Sequence, residues 1–151
     1  MTRINVIPVQ FLADQHLIAE YRELPRVLKQ TLDLTDAPDN YCLGKGHMKW
    51  GRKHALYCLK RYKEICDEMV YRGFSVNHTY EDLKKYVNTN CPKEILNDYT
   101  VTDTDIVLNL KRIVEKIIKR QNFYKWTKRD VSDCMKISEC ISNHQCVLLS
   151  P

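Results

Sequence analysis

From Val9 to about Leu34, apolar side chains recur every three to four residues, the spacing of a helix that buries one face. Leu12, His16, Ala19, Glu23 and Arg26 share one side of it, and Phe11, Ile18 and Leu28 support the buried side. Pro8 suits the first turn, where a missing N–H costs nothing. Pro25 is expected to bend this helix without ending it, because the periodicity resumes beyond it. A turn cluster at Asp36-Ala37-Pro38-Asp39-Asn40 and a glycine-punctuated basic loop from Leu43 to Gly51 lead into a second helix over His54 to Tyr71. Its stripe is Leu56, Leu59, Tyr62, Cys66, Met69 and Val70, and Gly73 stands where a helix stop is expected. A short helical piece is predicted around Tyr80 to Val87, broken at Cys91-Pro92. Thr102-Asp103-Thr104-Asp105 offers N-caps for a third long helix to about Arg120, with Ile106, Leu110, Ile113 and Ile117 on its apolar side. The pattern predicts an all-α fold, a compact single domain of three main helices with irregular connecting loops.

Length adds that 151 residues can bury a genuine core in one domain. No window approaches the ~18 to 20 consecutive apolar residues of a membrane span. No charged segment followed by an apolar one opens the chain, so it is expected to stay intracellular, away from membranes. The seven cysteines are odd in number and their spacing suggests no disulfide framework, so they read as free thiols.

Charge changes the picture by its distribution. Residues 44–72 hold eight Lys/Arg against three acids, and residues 106–129 hold eight against Glu115 alone. Positive blocks inside structured segments point to a polyanion partner, gripped in a salt-dependent way; solvated helix faces are the plain alternative.

The chemistry begins at the N-terminus. Removal of Met1 is expected because Thr2 is small, leaving a free Thr2 amine. An α-amine has a reference pKa of about 7.7–8.0, and neighbouring Arg3, Arg22 and Arg26 would push it lower. Such an amine is a nucleophile for imine chemistry near neutral pH. Ala19, one turn before Glu23, leaves room for the first residues to lie against the helix and bring the amine to the Glu23 carboxylate. Glu23 could then move protons and stabilise a developing cation, while Arg22 and Arg26 hold phosphates. A surface salt bridge is the plain alternative for Glu23 taken alone.

The run Thr2-Arg3-Ile4-Asn5, Leu12-Ala13-Asp14-Gln15-His16-Leu17 and Ala19-Glu20-Tyr21-Arg22-Glu23-Leu24-Pro25-Arg26 closely resembles the opening of the pyrimidine-dimer DNA glycosylases, the bacteriophage endonuclease V family. Leu43-Gly44-Lys45-Gly46-His47 is similar to that family's Leu-Gly-x-Gly-His loop. Arg72-Gly73-Phe74, Asp98-Tyr99, Arg112, Glu115-Lys116 and Phe123-Tyr124-Lys125-Trp126 extend the resemblance over about residues 2–128. It implies a DNA repair enzyme in which Thr2 matches the nucleophile and Glu23 the catalytic acid. Arg3, Arg22 and Arg26 match phosphate contacts around the lesion, Gln15 and His16 its active-site neighbours, and Arg112 and Lys116 further phosphate contacts. The implied partner is double-stranded DNA containing pyrimidine dimers or abasic sites, bound by a monomer. No metal or organic cofactor is needed, because the amine's own imine is the electron sink. Lys45, Gly46 and His47 are read either as approaching the DNA backbone or as a helix-entry turn.

The chain departs from the family pattern in three places. Trp126-Thr127 stands where the family carries an aromatic pair, and residues 29–42 diverge, carrying three aspartates. Residues 129–151 have no counterpart and are expected to be an appendage to a 1–128 domain. Their Cys134, Cys140, His144 and Cys146 have a spacing unlike zinc sites, so no metal is expected. Two other functions fit the residues: a catalytically silent DNA-binding module, and the same chemistry on oxidised or ring-opened bases.

Overall fold

Residues 4–7 enter the core as a non-helical segment, and every one of them is buried. The structure, a computed structural model, describes residues 4–120 and 122–130. Five α-helices follow in order: α1 (Asp14–Lys29), α2 (His47–Lys53), α3 (Ala55–Tyr71), α4 (Tyr80–Asn90) and α5 (Asp103–Lys119). Among the described residues there is no strand, so the all-α expectation stands, with five helices in place of three. The three long helices are the predicted ones, at 16, 17 and 17 residues. None is long and apolar enough to cross a membrane.

The first helix is shorter than its periodicity suggested. Val9–Phe11 form one 3-10 turn, and Leu12 and Ala13 are extended, with ψ of 135° and 157°. Asp14 therefore opens α1, its charge favourably placed in the first turn. The helix passes through Pro25 and stops at Gln30, short of Leu34. Beyond it, Thr31 and Asp33 are exposed while Leu32 and Leu34 are half-buried. That is a period of two, proper to extended chain.

The basic loop contains a helix. Gly46 (φ 91°) turns the chain into α2 from the left-handed region, where L side chains are strained. Its buried stripe is His47, Trp50, Gly51 and then His54, a helical spacing built from residue types that apolar counting misses. The helix-entry reading of Lys45, Gly46 and His47 is thus the one the structure supports. α4 and α5 each start from a capping box, Thr79 with Asp82 and Thr102 with Asp105.

The core lies between α1 and α3, with Leu12, Leu17, Leu24, Leu28, Tyr62 and Ile65 fully buried. Trp50 sits edge-on to Tyr41 and Tyr99, at ring distances of 4.9 and 5.1 Å.

Candidate active site

Side chains from four elements tie down the N-terminal segment. Ile4 N–H donates to His47 Nε2 (3.1 Å), and Tyr41 donates its hydroxyl to Ile4 O (2.9 Å). Asn109 of α5 accepts from the amides of Val6 and Ile7, at 2.8 and 3.2 Å. Its own amide donates to Asn5 Oδ1 at 2.8 Å, and Asn5 Nδ2 donates to Glu20 Oε1 at 2.8 Å. Glu20 is paired in turn with Arg61, whose Nη1 donates to Ile7 O. Gly51 makes room for this segment: a Cβ there would meet Ile4 Cδ1 at 2.4 Å and Val27 Cγ1 at 3.2 Å. Val27 is one helical turn beyond Glu23, so anchored Ile4 lies close to the acid-bearing stretch of α1.

The outward face of α1 carries Ala19, Arg22 and Arg26 in the open and Glu23 half-buried. Arg26 Nη1 meets Glu23 Oε1 at 3.0 Å, with the two side chains 69% and 17% exposed. So exposed an arginine adds little stability through that pair and keeps its charge available to a polyanion. On α5, Arg112 and Lys116 are both half-buried. Burial, and then the charge of Arg112, push the Lys116 ammonium below its usual pKa. Burial, and then Lys116, push the His16 imidazole down to about 4. His16 stacks on Tyr124, with centroids 4.7 Å apart, and its ring nitrogens have no partner among the described residues. Thr2 and Arg3 lie outside the described residues, as do Cys134, Cys140, His144 and Cys146.

A neutral buried imidazole has a consequence for acid stability. Unfolded His16 takes up its proton near pH 6.5 and the folded chain only near 4. The unfolded state thus holds more protons between these values, and stability falls as pH drops through that window, by on the order of 3 kcal/mol. His16→Phe keeps the stack and removes the titration. Thermal melts at pH 7, 5.5 and 4 should show a smaller acid-side loss in the variant, and equal losses would show that the ring titrates normally.

The segment after α5 is strapped across the start of α1. Gln15 donates to Phe123 O (2.7 Å) and accepts from Lys125 N–H (3.1 Å). Its amide therefore positions the aromatic segment. Asp14 donates its N–H to Lys125 O (2.7 Å), and its carboxylate accepts from Thr127 Oγ1 (2.6 Å) and Arg72 Nη1 (2.9 Å). Trp126 Nε1 donates to Phe11 O at 3.1 Å. Glu68 accepts from Arg72 Nε and Arg129 Nη2, at 2.9 and 2.6 Å. Burial works to raise the Glu68 pKa, but hydrogen bonds from Arg129 and Arg72 outweigh it and hold the carboxyl below its usual range. Trp126 and Thr127 thus serve to fasten the strap. Sequence reasoning did not single out Asn5, Asp14, Glu68 or Asn109, because only tertiary contact shows what an interior polar residue holds.

In the first basic block, Arg61 and Arg72 are buried in ion pairs. Lys49, Lys53, Lys60 and Lys63 pair with Asp36, Asp39, Asp98 and Asp67. Arg52 donates to Leu28 O. Basic side chains are exposed as well on the outward face of α1, at Arg22 and Arg26. A groove of about 660 Å³ opens beside it, with Tyr21, Arg22, Pro25, Arg26, Asn77 and His78 in its lining. Tyr21 Oη fixes the far wall, accepting from the amides of Asn77 and His78 at 2.9 Å each.

A model of the pyrimidine dimer DNA glycosylases matches residues 1–82, more than half of the chain. The matched stretch contains Thr2, Arg3, Gln15, His16, Arg22, Glu23 and Arg26, and ends before Arg112 and Lys116. With the all-α fold and the arginine-flanked glutamate on α1, that match decides the question of kinship: the chain belongs to the pyrimidine dimer DNA glycosylase family, enzymes of DNA repair.

Proposed function

We propose that this glycosylase breaks the glycosidic bond of the 5′ pyrimidine of a cyclobutane dimer in duplex DNA and then cuts the strand through an imine formed by the Thr2 amine. The nitrogen lone pair attacks C1′, and the C1′–N1 bonding pair leaves with the base, which takes up a proton. Glu23 stabilises the cation developing at C1′, takes the proton lost from nitrogen and passes it to O4′ as the C1′–O4′ bond opens to give the imine. Glu23 then removes a proton from C2′. The electrons left behind form the C2′–C3′ double bond and expel the 3′ phosphate, and water finally returns the free amine. Arg3, Arg22, Arg26, Arg112 and Lys116 hold the backbone phosphates, with His16 and Gln15 beside the lesion. The groove beside Arg22 and Arg26 suits the base that this family extrudes opposite the dimer.

The observation that carries this reading is the fixed position of Ile4. It is held by His47 and Tyr41 and crowds Gly51 together with Val27, one turn from Glu23. Two residues of chain reach about 7 Å at most, so an anchor at Ile4 supports a reading in which the Thr2 amine works with the acid-bearing stretch of α1.

Borohydride added during reaction with dimer-containing DNA tests it. The expected result is a covalent adduct that peptide mapping places on Thr2. Adducts on abasic or oxidised DNA but not on dimers would favour the other substrates. No adduct on any of them would leave a DNA-binding module.

A further inference from the structure

We propose that His47 is a positioning residue for the N-terminal amine, its neutral imidazole acting through the Ile4 amide, two residues after the proposed nucleophile. This rests on the reading of Thr2 as nucleophile.

The two ring contacts fix the tautomer. Nδ1 lies 2.7 Å from Cys42 O, a carbonyl that can only accept, so Nδ1 carries the hydrogen. Nε2 is then a lone pair, and Ile4 N–H donates into it at 3.1 Å. The ring is itself held: 2% exposed, stacked on Trp50 with 18° between planes and edge-on to Tyr41 at 79°. Tyr41 also donates to Ile4 O. Both backbone polar groups of Ile4 are thus satisfied by side chains of one short stretch, residues 41–47, which orients the peptide planes on either side of it. Gly51, on the same helix as His47, accepts the Ile4 side chain against its bare Cα. The Gly44-Lys45-Gly46-His47 turn therefore builds a seat for the residue two places after the proposed nucleophile. Asn109 and Glu20 hold residues 5–7, further along the segment. His47 is the side chain that grips its leading amide.

Phenylalanine keeps the ring stack but has no acceptor, whereas glutamine places an amide oxygen near the position of Nε2. The experiment compares wild type, His47→Phe, His47→Gln and Gly51→Ala on DNA with a preformed abasic site, which removes glycosidic-bond cleavage from the comparison. Three quantities are read: the single-turnover rate of borohydride trapping at Thr2, the Kd for an uncleavable abasic analogue, and hydrogen exchange at the Ile4 amide. Thermal melts confirm that each variant folds.

His47→Phe should slow trapping about 10- to 100-fold, the scale of a misplacement near 1 Å, and hasten Ile4 exchange. Its Kd should change far less than the rate, since four of the five proposed phosphate contacts, Arg22, Arg26, Arg112 and Lys116, belong to α1 and α5 and not to the segment this ring holds. His47→Gln should recover most of the rate and the protection. Gly51→Ala, which displaces Ile4 from the other side, should also slow trapping by far more than it changes Kd. If wild type traps at Thr2 and His47→Phe traps as fast, the positioning role is overturned while the nucleophile stands. Equal losses in the Phe and Gln variants would reduce His47 to a packing residue and overturn it as well. If wild type gives no Thr2 adduct, the nucleophile reading itself has failed, and this inference falls with it.

Discussion

Glu23→Gln is expected to lower the single-turnover rate of glycosidic-bond cleavage by about 10²- to 10⁴-fold while leaving the Kd for dimer-containing DNA within a few-fold of wild type. The size is what a positioned proton-transfer group contributes. The substitution is nearly isosteric, and the amide oxygen can still accept from Arg26 Nη1, which now meets the carboxylate at 3.0 Å. The arginine pair on α1 is therefore kept in place, and with it the proposed phosphate grip. What disappears is the negative charge and the ability to take a proton. Little stability should be lost, because the partner arginine is 69% exposed. Single-turnover cleavage and fluorescence anisotropy on the same duplex separate the two effects. A rate close to wild type would show that the acid has been assigned to the wrong residue; a parallel loss of binding would make Glu23 part of the DNA grip.

The contrast between Glu23 and Glu20 shows where sequence reasoning stops. Both lie on α1, three residues apart in one helical run, Glu20 between Ala19 and Tyr21 and Glu23 beside Arg22. Glu23 was singled out by its arginines and by resemblance, and the structure leaves it half-buried on the outward face. Glu20 drew no attention, yet it is 2% exposed and joins α1, α3 and the N-terminal segment. Periodicity reports which face of a helix is apolar, but not which polar residue is carried into the interior by a partner 41 positions away. The first basic block shows the same limit. Charge density is visible one residue at a time, whereas pairing is a property of the fold. The long helices α1, α3 and α5 were found because apolar residues mark them. α2 was missed because His47, Gly51 and His54 carry its stripe. The 1–82 family match covers the N-terminal segment and α1, the part where short-range sequence also held most of the chemistry.

The interior pair makes the second strong prediction. Arg61→Met should lower the melting temperature by about 6–20 °C, since breaking a buried ion pair costs about 3–5 kcal/mol and each kcal/mol shifts a chain of this size by about 2–4 °C. Arg61 and Glu20 side chains are 3% and 1% exposed, and the guanidinium contributes two nitrogens to Glu20, at 2.8 and 3.1 Å, and a third to Ile7 O. Burial alone would push its pKa down, but the Glu20 charge and hydrogen bonds outweigh that and hold it above the ordinary value. Methionine fills a similar volume but leaves Glu20 charged in the interior, with Asn5 Nδ2 still donating to it. That uncompensated carboxylate, more than the lost attraction, sets the size of the effect. Removing it as well, in Arg61→Met with Glu20→Leu, should restore part of the stability, with a coupling of about 1–3 kcal/mol in a double-mutant cycle. The recovery should be incomplete, because Asn5 and Ile7 O still lose their partners. A single variant that melts within about 2 °C of wild type, or a double variant no better than the sum of the singles, would show that this pair is hydrated in solution and does not brace the N-terminal segment.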